Sequence, residues 1–147
     1  HENLTLLDGG IDDWVAAGEP TAASSSHLVP VNYTPEINGE LLAEYEFVKS
    51  GSAQIIDART ADEFEAGSIP GSMNIPYEGV LDGKKIKDEA DLEHLFSSLD
   101  KEKPVVVYTN TGVKASMVWL ALTLLGYEAR IYSWKEWQSS ERLHQQI

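Results

Sequence analysis

The run Val105-Val106-Val107-Tyr108-Thr109-Asn110-Thr111-Gly112-Val113-Lys114 carries a β-branched stretch into six residues, Thr109 to Lys114, that can hold an anion. The apolar segment Ala115–Leu125 follows at once with helical character, so this turn opens directly into a helix N-terminus. N–H groups in a first helical turn have no intrahelical acceptor, and the helix dipole adds partial positive charge there. A turn so placed forms a cradle for an anion or an ionised nucleophile. Asn110, Thr111, Gly112 and Val113 supply amides, and Gly112 admits backbone angles barred to other residues. Lys114 ends the loop as a cation that can hold an oxyanion, or as a solvated helix-start lysine. Thr109 opens the loop, and the chain of 147 residues contains no cysteine.

Other chemistries find little support. A threonine nucleophile that works uses its own N-terminal amine as base, which the internal Thr109 cannot do. His1, His27, His94 and His144 are scattered without ligand spacing, so no metal site is expected. There is no Gly-x-Ser-x-Gly elbow and no phosphate-binding P-loop. A net charge of −13 argues against a nucleic-acid partner, which clustered Lys and Arg would have to recognise. No apolar run approaches the ~20 residues that a membrane span requires. The start, His1-Glu2-Asn3-Leu4, has no basic region of a signal peptide; the expected compartment is the cytoplasm, with the periplasm as the alternative if the chain continues upstream. With 42% apolar and 24% charged residues the composition is that of a soluble globular protein.

The elements that position the loop alternate between strand and helix. Thr34-Pro35-Glu36 predicts a helix start, with Leu41, Leu42, Tyr45 and Val48 as its stripe and Gly51 as its end. Ala53–Ala58 predicts a buried strand, and Thr60 a cap for the helix Ala61–Ala66. Ile69–Pro76 reads as turn, very short strand and turn, and Asp82-Gly83 as a tight turn in a polar loop. Leu92, Leu95, Phe96 and Leu99 form one face of a third helix. Val105–Tyr108 predicts a strand covered on both faces, Val113–Leu125 a helix ended by Gly126, and Glu128–Tyr132 a last strand before a Trp-bearing helix. This alternation implies a mostly parallel sheet with helices on both faces.

The first residues repeat the last. Leu4–Leu7, the turn Asp8-Gly9-Gly10 and the helix Ile11–Gly18 parallel Arg130-Ile131-Tyr132-Ser133-Trp134-Lys135-Glu136-Trp137. Gly10 matches Ser133 and Trp14 matches Trp137, as a tandem duplication would leave them. The expected division is therefore 1–22 as the end of a preceding domain, 23–33 as linker, 34–140 as the main domain and 141–147 as a tail.

Four segments resemble the rhodanese (thiosulfate sulfurtransferase) family. Ile55–Ser72 is similar to its first signature: an Asp-x-Arg strand end, a Glu-Phe pair, then Ser-Ile-Pro-Gly-Ser where the family often has His for Ser68. The loop Thr109–Lys114 with Ala115-Ser116 is similar to its active-site loop. Leu125-Gly126-Tyr127 with Tyr132-Ser133-Trp134 resembles its closing motif, lacking the Asp-Gly that many tandem members place before Ser-Trp. Leu7–Gly10 with Trp14 and Ala17–Pro20 resembles the end of a preceding copy. The resemblance implies a three-layer α/β fold around a mostly parallel five-stranded sheet. It implies sulfur transfer from thiosulfate, or another sulfane donor, to a thiophilic acceptor through a cysteine persulfide, with no cofactor.

By the same resemblance Thr109 stands at the cysteine position, and the chain is predicted inactive as it stands. A thiolate is soft and ionised once its pKa is lowered, whereas an alcohol is hard and stays protonated. Lys114 and Arg59 are the other catalytic candidates, and Asn110, Thr111, Gly112, Val113 and Trp134 line the expected substrate site. Asp57 and Glu63 are expected to brace it, with Arg59 paired to one or the other. The expected partners are a small sulfur-containing anion such as thiosulfate and a thiol or protein acceptor, without nucleic acid or membrane. The competing expectation is a non-catalytic rhodanese module that binds an anion or a protein. Phosphatases that share the fold need a longer loop with both Cys and Arg.

Overall fold

Strand β5 (Val105–Thr109) is buried at every position and forms the axis of the molecule. The computed structural model describes residues 5–24, 27, 29–36 and 38–145. Four parallel strands make the main sheet in the order β2 (Met73–Asn74), β1 (Gln54–Asp57), β5 and β6 (Ala129–Ser133). Register places Asp57 beside Tyr108 and Thr109 beside Ser133, so the carboxyl ends of three strands meet at one edge. Open α/β sheets bind their ligands at that edge.

Alternation along β5 builds two cores. Val105 and Val107 pack with Phe96, Val118 and Leu122 on the side of α4 (Glu89–Leu95) and α5 (Ala115–Leu124). Val106 and Tyr108 pack with Tyr45, Val48 and Trp137 on the side of α2 (Tyr45–Lys49) and α6 (Trp134–His144). The period of two thus buries both faces of one strand, giving the three-layer α/β arrangement that the alternation predicts. Helix α3 (Ala61–Glu65) follows β1, capped by Thr60 in a reciprocal box with Glu63. Strands β3 (Leu81–Asp82) and β4 (Lys85–Ile86) pair antiparallel around Asp82-Gly83, a small hairpin where a polar loop was expected.

Several expectations need correction. The sheet has four strands among the described residues, because the fifth position is reduced to one parallel bridge, Leu42 to Ile131. The helix expected from Thr34 does not form there: residues 34–36 carry no helix, and Ile37 lies outside the described residues. A 3₁₀ turn, Gly39–Leu41, and then α2 replace it. A proline and a capping hydroxyl cannot hold a helix whose side chains bury nothing, and burial begins only at Ala43 and Tyr45. Thr5–Leu7 carries no strand, and Leu4 lies outside the described residues. The helix expected there is α1 (Ile11–Ala16), held to the β3–β4 hairpin by Lys84–Asp12 and by Lys85–Asp13 at 2.8 Å. Helix α6 continues through His144, four residues into the segment expected as a tail, because Tyr45 donates to the Glu141 carboxylate. No helix among the described residues is long and apolar enough to cross a membrane.

Candidate active site

At the carboxyl edge of the sheet lies a cleft of about 360 Å³. Its floor is the end of β5 and the loop before α5; its walls come from the β1–α3 junction and the 3₁₀ turn Tyr77–Val80. Thr109 is 5% exposed, so its side chain sits at the bottom. Thr109 does not cap α5: the N-cap is Lys114, and no side chain caps the helix. Among the described residues, no backbone N–H from Asn110 to Ala115 donates to a protein acceptor. These donors remain for water or a ligand, as an anion cradle requires.

Gly112 makes the loop's path feasible. Its φ is +82°, and an added Cβ would stand 3.1 Å from the Tyr132 carbonyl oxygen and 3.2 Å from Ile131 Cγ2. The loop therefore lies directly on β6 at this residue, with Gly112 behind the cleft and not on its lining. Asn110 fixes the other flank. Its Nδ2 donates to Glu63 Oε1 at 2.6 Å, and its carbonyl accepts from Lys135 N–H at 3.3 Å. The bond from Asn110, followed by those from Thr60, holds the Glu63 carboxyl below its ordinary range. Lys114 Nζ donates to the Tyr77 hydroxyl at 3.0 Å and lies 4.4 Å from the centre of that ring. The Tyr77 contact, with Glu78 and Glu63 farther off, raises the Lys114 ammonium above its usual value.

Arg59 and Asp57 form a buried unit behind this surface. Asp57 accepts from Arg59 Nε at 3.0 Å, from Nη2 at 2.5 Å and from the Arg59 backbone N–H at 2.9 Å. Tyr108 donates its hydroxyl to Asp57 Oδ2 at 2.6 Å and accepts the Ile69 N–H at 3.1 Å. Burial, reinforced by the Asp57 carboxylate, pushes the Tyr108 phenol up to about 12. Arg59 also donates to the Gly67 carbonyl at 2.7 Å. The structure thus gives Arg59 to Asp57 and leaves Glu63 to Asn110 and Thr60. Trp134, expected as a wall of the substrate site, does not line the cleft. It stacks on the Arg59 guanidinium at 4.5 Å and on the Tyr108 ring at 6.0 Å, because α6 begins immediately after β6 and turns its first residue onto that unit.

A family model described as the rhodanese-like domain matches residues 43–140. The chain belongs to that family. Human 3-mercaptopyruvate sulfurtransferase is 30% identical, aligned over 97% of this chain and 55% of the relative. Thiosulfate sulfurtransferase of Gallus gallus is 29% identical over 93% of this chain and 54% of the relative. The crystal structure of a 3-mercaptopyruvate sulfotransferase from Escherichia coli superimposes with a TM-score of 0.73 at 28% identity, covering 85% of this chain and 52% of that one. The chain spans about half the length of the curated relatives it matches.

Within this rhodanese-like domain, Thr109, Asn110, Thr111, Val113, Lys114 and Arg59 converge on one cleft, while Gly112, Asp57 and Trp134 stand behind it. Sequence reasoning missed Tyr108, Tyr77 and Glu78. Tyr108 did carry a signal, as the single polar-tipped side chain in the buried strand Val105–Tyr108. Tyr77 and Glu78 carried none, since they reach the loop only through the fold.

Proposed function

We propose that this rhodanese-like domain holds a small sulfur-containing anion in the amide-lined cleft, and that it does not transfer sulfur. The observation that carries this reading is the buried Thr109 at the end of β5, followed by N–H groups without internal acceptors. The sulfurtransferase names of its relatives support the substrate class. Persulfide chemistry needs a thiolate to attack the outer sulfur of the donor. With thiosulfate the S–S bond breaks, sulfite leaves, and the enzyme keeps the sulfur until cyanide or another thiophile removes it. An alcohol without a dedicated base cannot make that attack.

The test is a cyanide–thiosulfate assay on the natural chain and on Thr109→Cys. The natural chain is expected at background. The variant should exceed it on the order of 10²-fold or more, since losing a nucleophile elsewhere costs about 10⁶. Equal turnover by the two proteins would overturn the reading. The second reading, a non-catalytic module, draws support from Lys114, whose ammonium is occupied by Tyr77. It expects Thr109→Cys to bind the anion and still produce no thiocyanate.

Residues 5–22 fit, in the same proposal, the closing unit of a preceding copy. Gly10 donates its N–H to the Asp13 carboxylate at 2.9 Å, and in the opposite sense the Glu136 N–H donates to the Ser133 hydroxyl at 3.2 Å, so each junction ties its cap to the residue just before a tryptophan, Trp14 or Trp137. A second Asp-x-Arg signature encoded upstream of His1 would sharpen this assignment, and an unrelated upstream sequence would remove it.

A further inference from the structure

We infer that Glu78 biases the cleft by ligand charge, weakening the binding of small dianions more than that of monoanions. This rests on the reading of the cleft as an anion site. Four side chains of fixed charge line it: Arg59, Glu63, Glu78 and Lys114. Arg59 contributes no net field, because Asp57 is bonded to it in the buried pair. Lys114 is then the one uncompensated cation on the wall, facing two carboxylates. Glu63 is fixed by Asn110 and Thr60, so the amide loop already answers part of its charge. Glu78 is exposed, and among the described residues its carboxylate makes no hydrogen bond or ion pair. It follows Tyr77 directly, and Tyr77 holds Lys114 Nζ at 3.0 Å, so both charges stand on the same wall. The loop amides attract an anion at short range through hydrogen bonds. The surplus carboxylate repels it at longer range, in proportion to its charge. The Glu78 carboxylate therefore costs a doubly charged ligand twice the repulsion that a singly charged one meets.

The test compares thiosulfate, a dianion, with methanethiosulfonate, a monoanion of similar sulfur chemistry. Both are titrated into the natural chain, Glu78→Gln and Glu102→Gln at low ionic strength, and amide shifts at residues 110–115 report binding. Coulomb's law at about 6 Å in a water-like dielectric predicts about threefold tighter methanethiosulfonate binding to Glu78→Gln. The thiosulfate factor is its square, about tenfold. Glu102→Gln, at the far end of β5, should move neither constant. Added salt should narrow the gap, since the Debye length falls from about 30 Å at 0.01 M to about 10 Å at 0.1 M. Equal factors for the two anions, or a response to Glu102→Gln as large as to Glu78→Gln, would overturn the charge selection and leave the anion site standing. Neither anion perturbing residues 110–115 in any of the three proteins would overturn the site and the selection together.

Discussion

The Asp57–Arg59–Tyr108 unit and the loop Asn110–Lys114 are adjacent at the end of β5, yet they treat polar groups in opposite ways. In the first, a buried carboxylate receives the guanidinium, a backbone N–H and a phenol, and Trp134 covers the assembly. In the second, a run of backbone donors has no internal partner among the described residues and borders an open cleft. Satisfied polar groups in a low-dielectric setting specify one geometry and are costly to disturb. Unsatisfied donors at a surface are cheap to leave to water and available for a ligand. The rhodanese-like domain therefore divides its labour: a buried, fully paired unit sets where the loop stands, and the loop leaves its donors open to the cleft. Thr109 sits on the boundary between them.

If that division is right, the largest stability loss should come from breaking the buried unit. Asp57→Ala leaves Arg59, about as buried as Thr109, without its counter-charge, and removes the acceptor of Tyr108. Removing one partner of a buried pair costs about 3–5 kcal/mol, and urea denaturation should show a loss of that size. A loss below about 1 kcal/mol would mean that the unit does not anchor the site.

A smaller loss is expected from titrating the unit. The Tyr108 phenol is pushed to about 12 in the fold, above the ordinary tyrosine value of 10.0. A raised folded pKa means that the protonated form is favoured by folding. Its contribution is complete below pH ~10 and disappears as pH rises from ~10 towards ~12. At most it amounts to roughly 2–3 kcal/mol. Tyr108→Phe has no such group, so the stability gap between it and the natural chain should narrow across this window. A constant gap from pH 8 to 12 would disconnect the phenol from the pair.

Gly112→Ala tests the seam between the two regions. The methyl group would meet the Tyr132 carbonyl at 3.1 Å with φ at +82°, so the loop must lift off β6. We expect a loss of about 1–3 kcal/mol in stability together with weakened anion binding. Full stability with full binding would show that the loop does not depend on this contact.

The two regions also differ in how far sequence revealed them. The strands carried their own evidence: Val105–Tyr108 and the pair Ile55-Ile56 are apolar stretches with nowhere to go but a covered sheet. Thr60 announced its cap by position, while its reciprocal bond with Glu63 appears only in the fold, and Gly112 announced a turn. Asp57 and Arg59, two residues apart at a strand end, suggested bracing, but the choice of Asp57 over Glu63 depended on where α3 pointed. Tyr108 joins Asp57 only because β1 and β5 are in register, which no local pattern records. Tyr77 reaches Lys114 across 37 positions of chain. The failed helix at Thr34 has the converse cause: its cap was legible, and the burial that would sustain it was absent.

The smallest effects belong to the loop's exposed rim. Lys114 and Tyr77 meet at the cleft mouth, where solvent screens their contact. Lys114→Gln should leave the melting midpoint unchanged while weakening thiosulfate binding a few-fold at low salt, because a rim charge adds attraction without holding the fold together. Tyr77→Phe separates the two contacts that Tyr77 makes. It keeps the ring beneath Lys114 Nζ and removes only the hydroxyl bond, so the ammonium should be freed towards the cleft. Thiosulfate binding to this variant is then expected at or above that of the natural chain. If Tyr77→Phe instead loses binding as Lys114→Gln does, the hydroxyl holds the cation in its working position, and the rim is as constrained as the unit behind it.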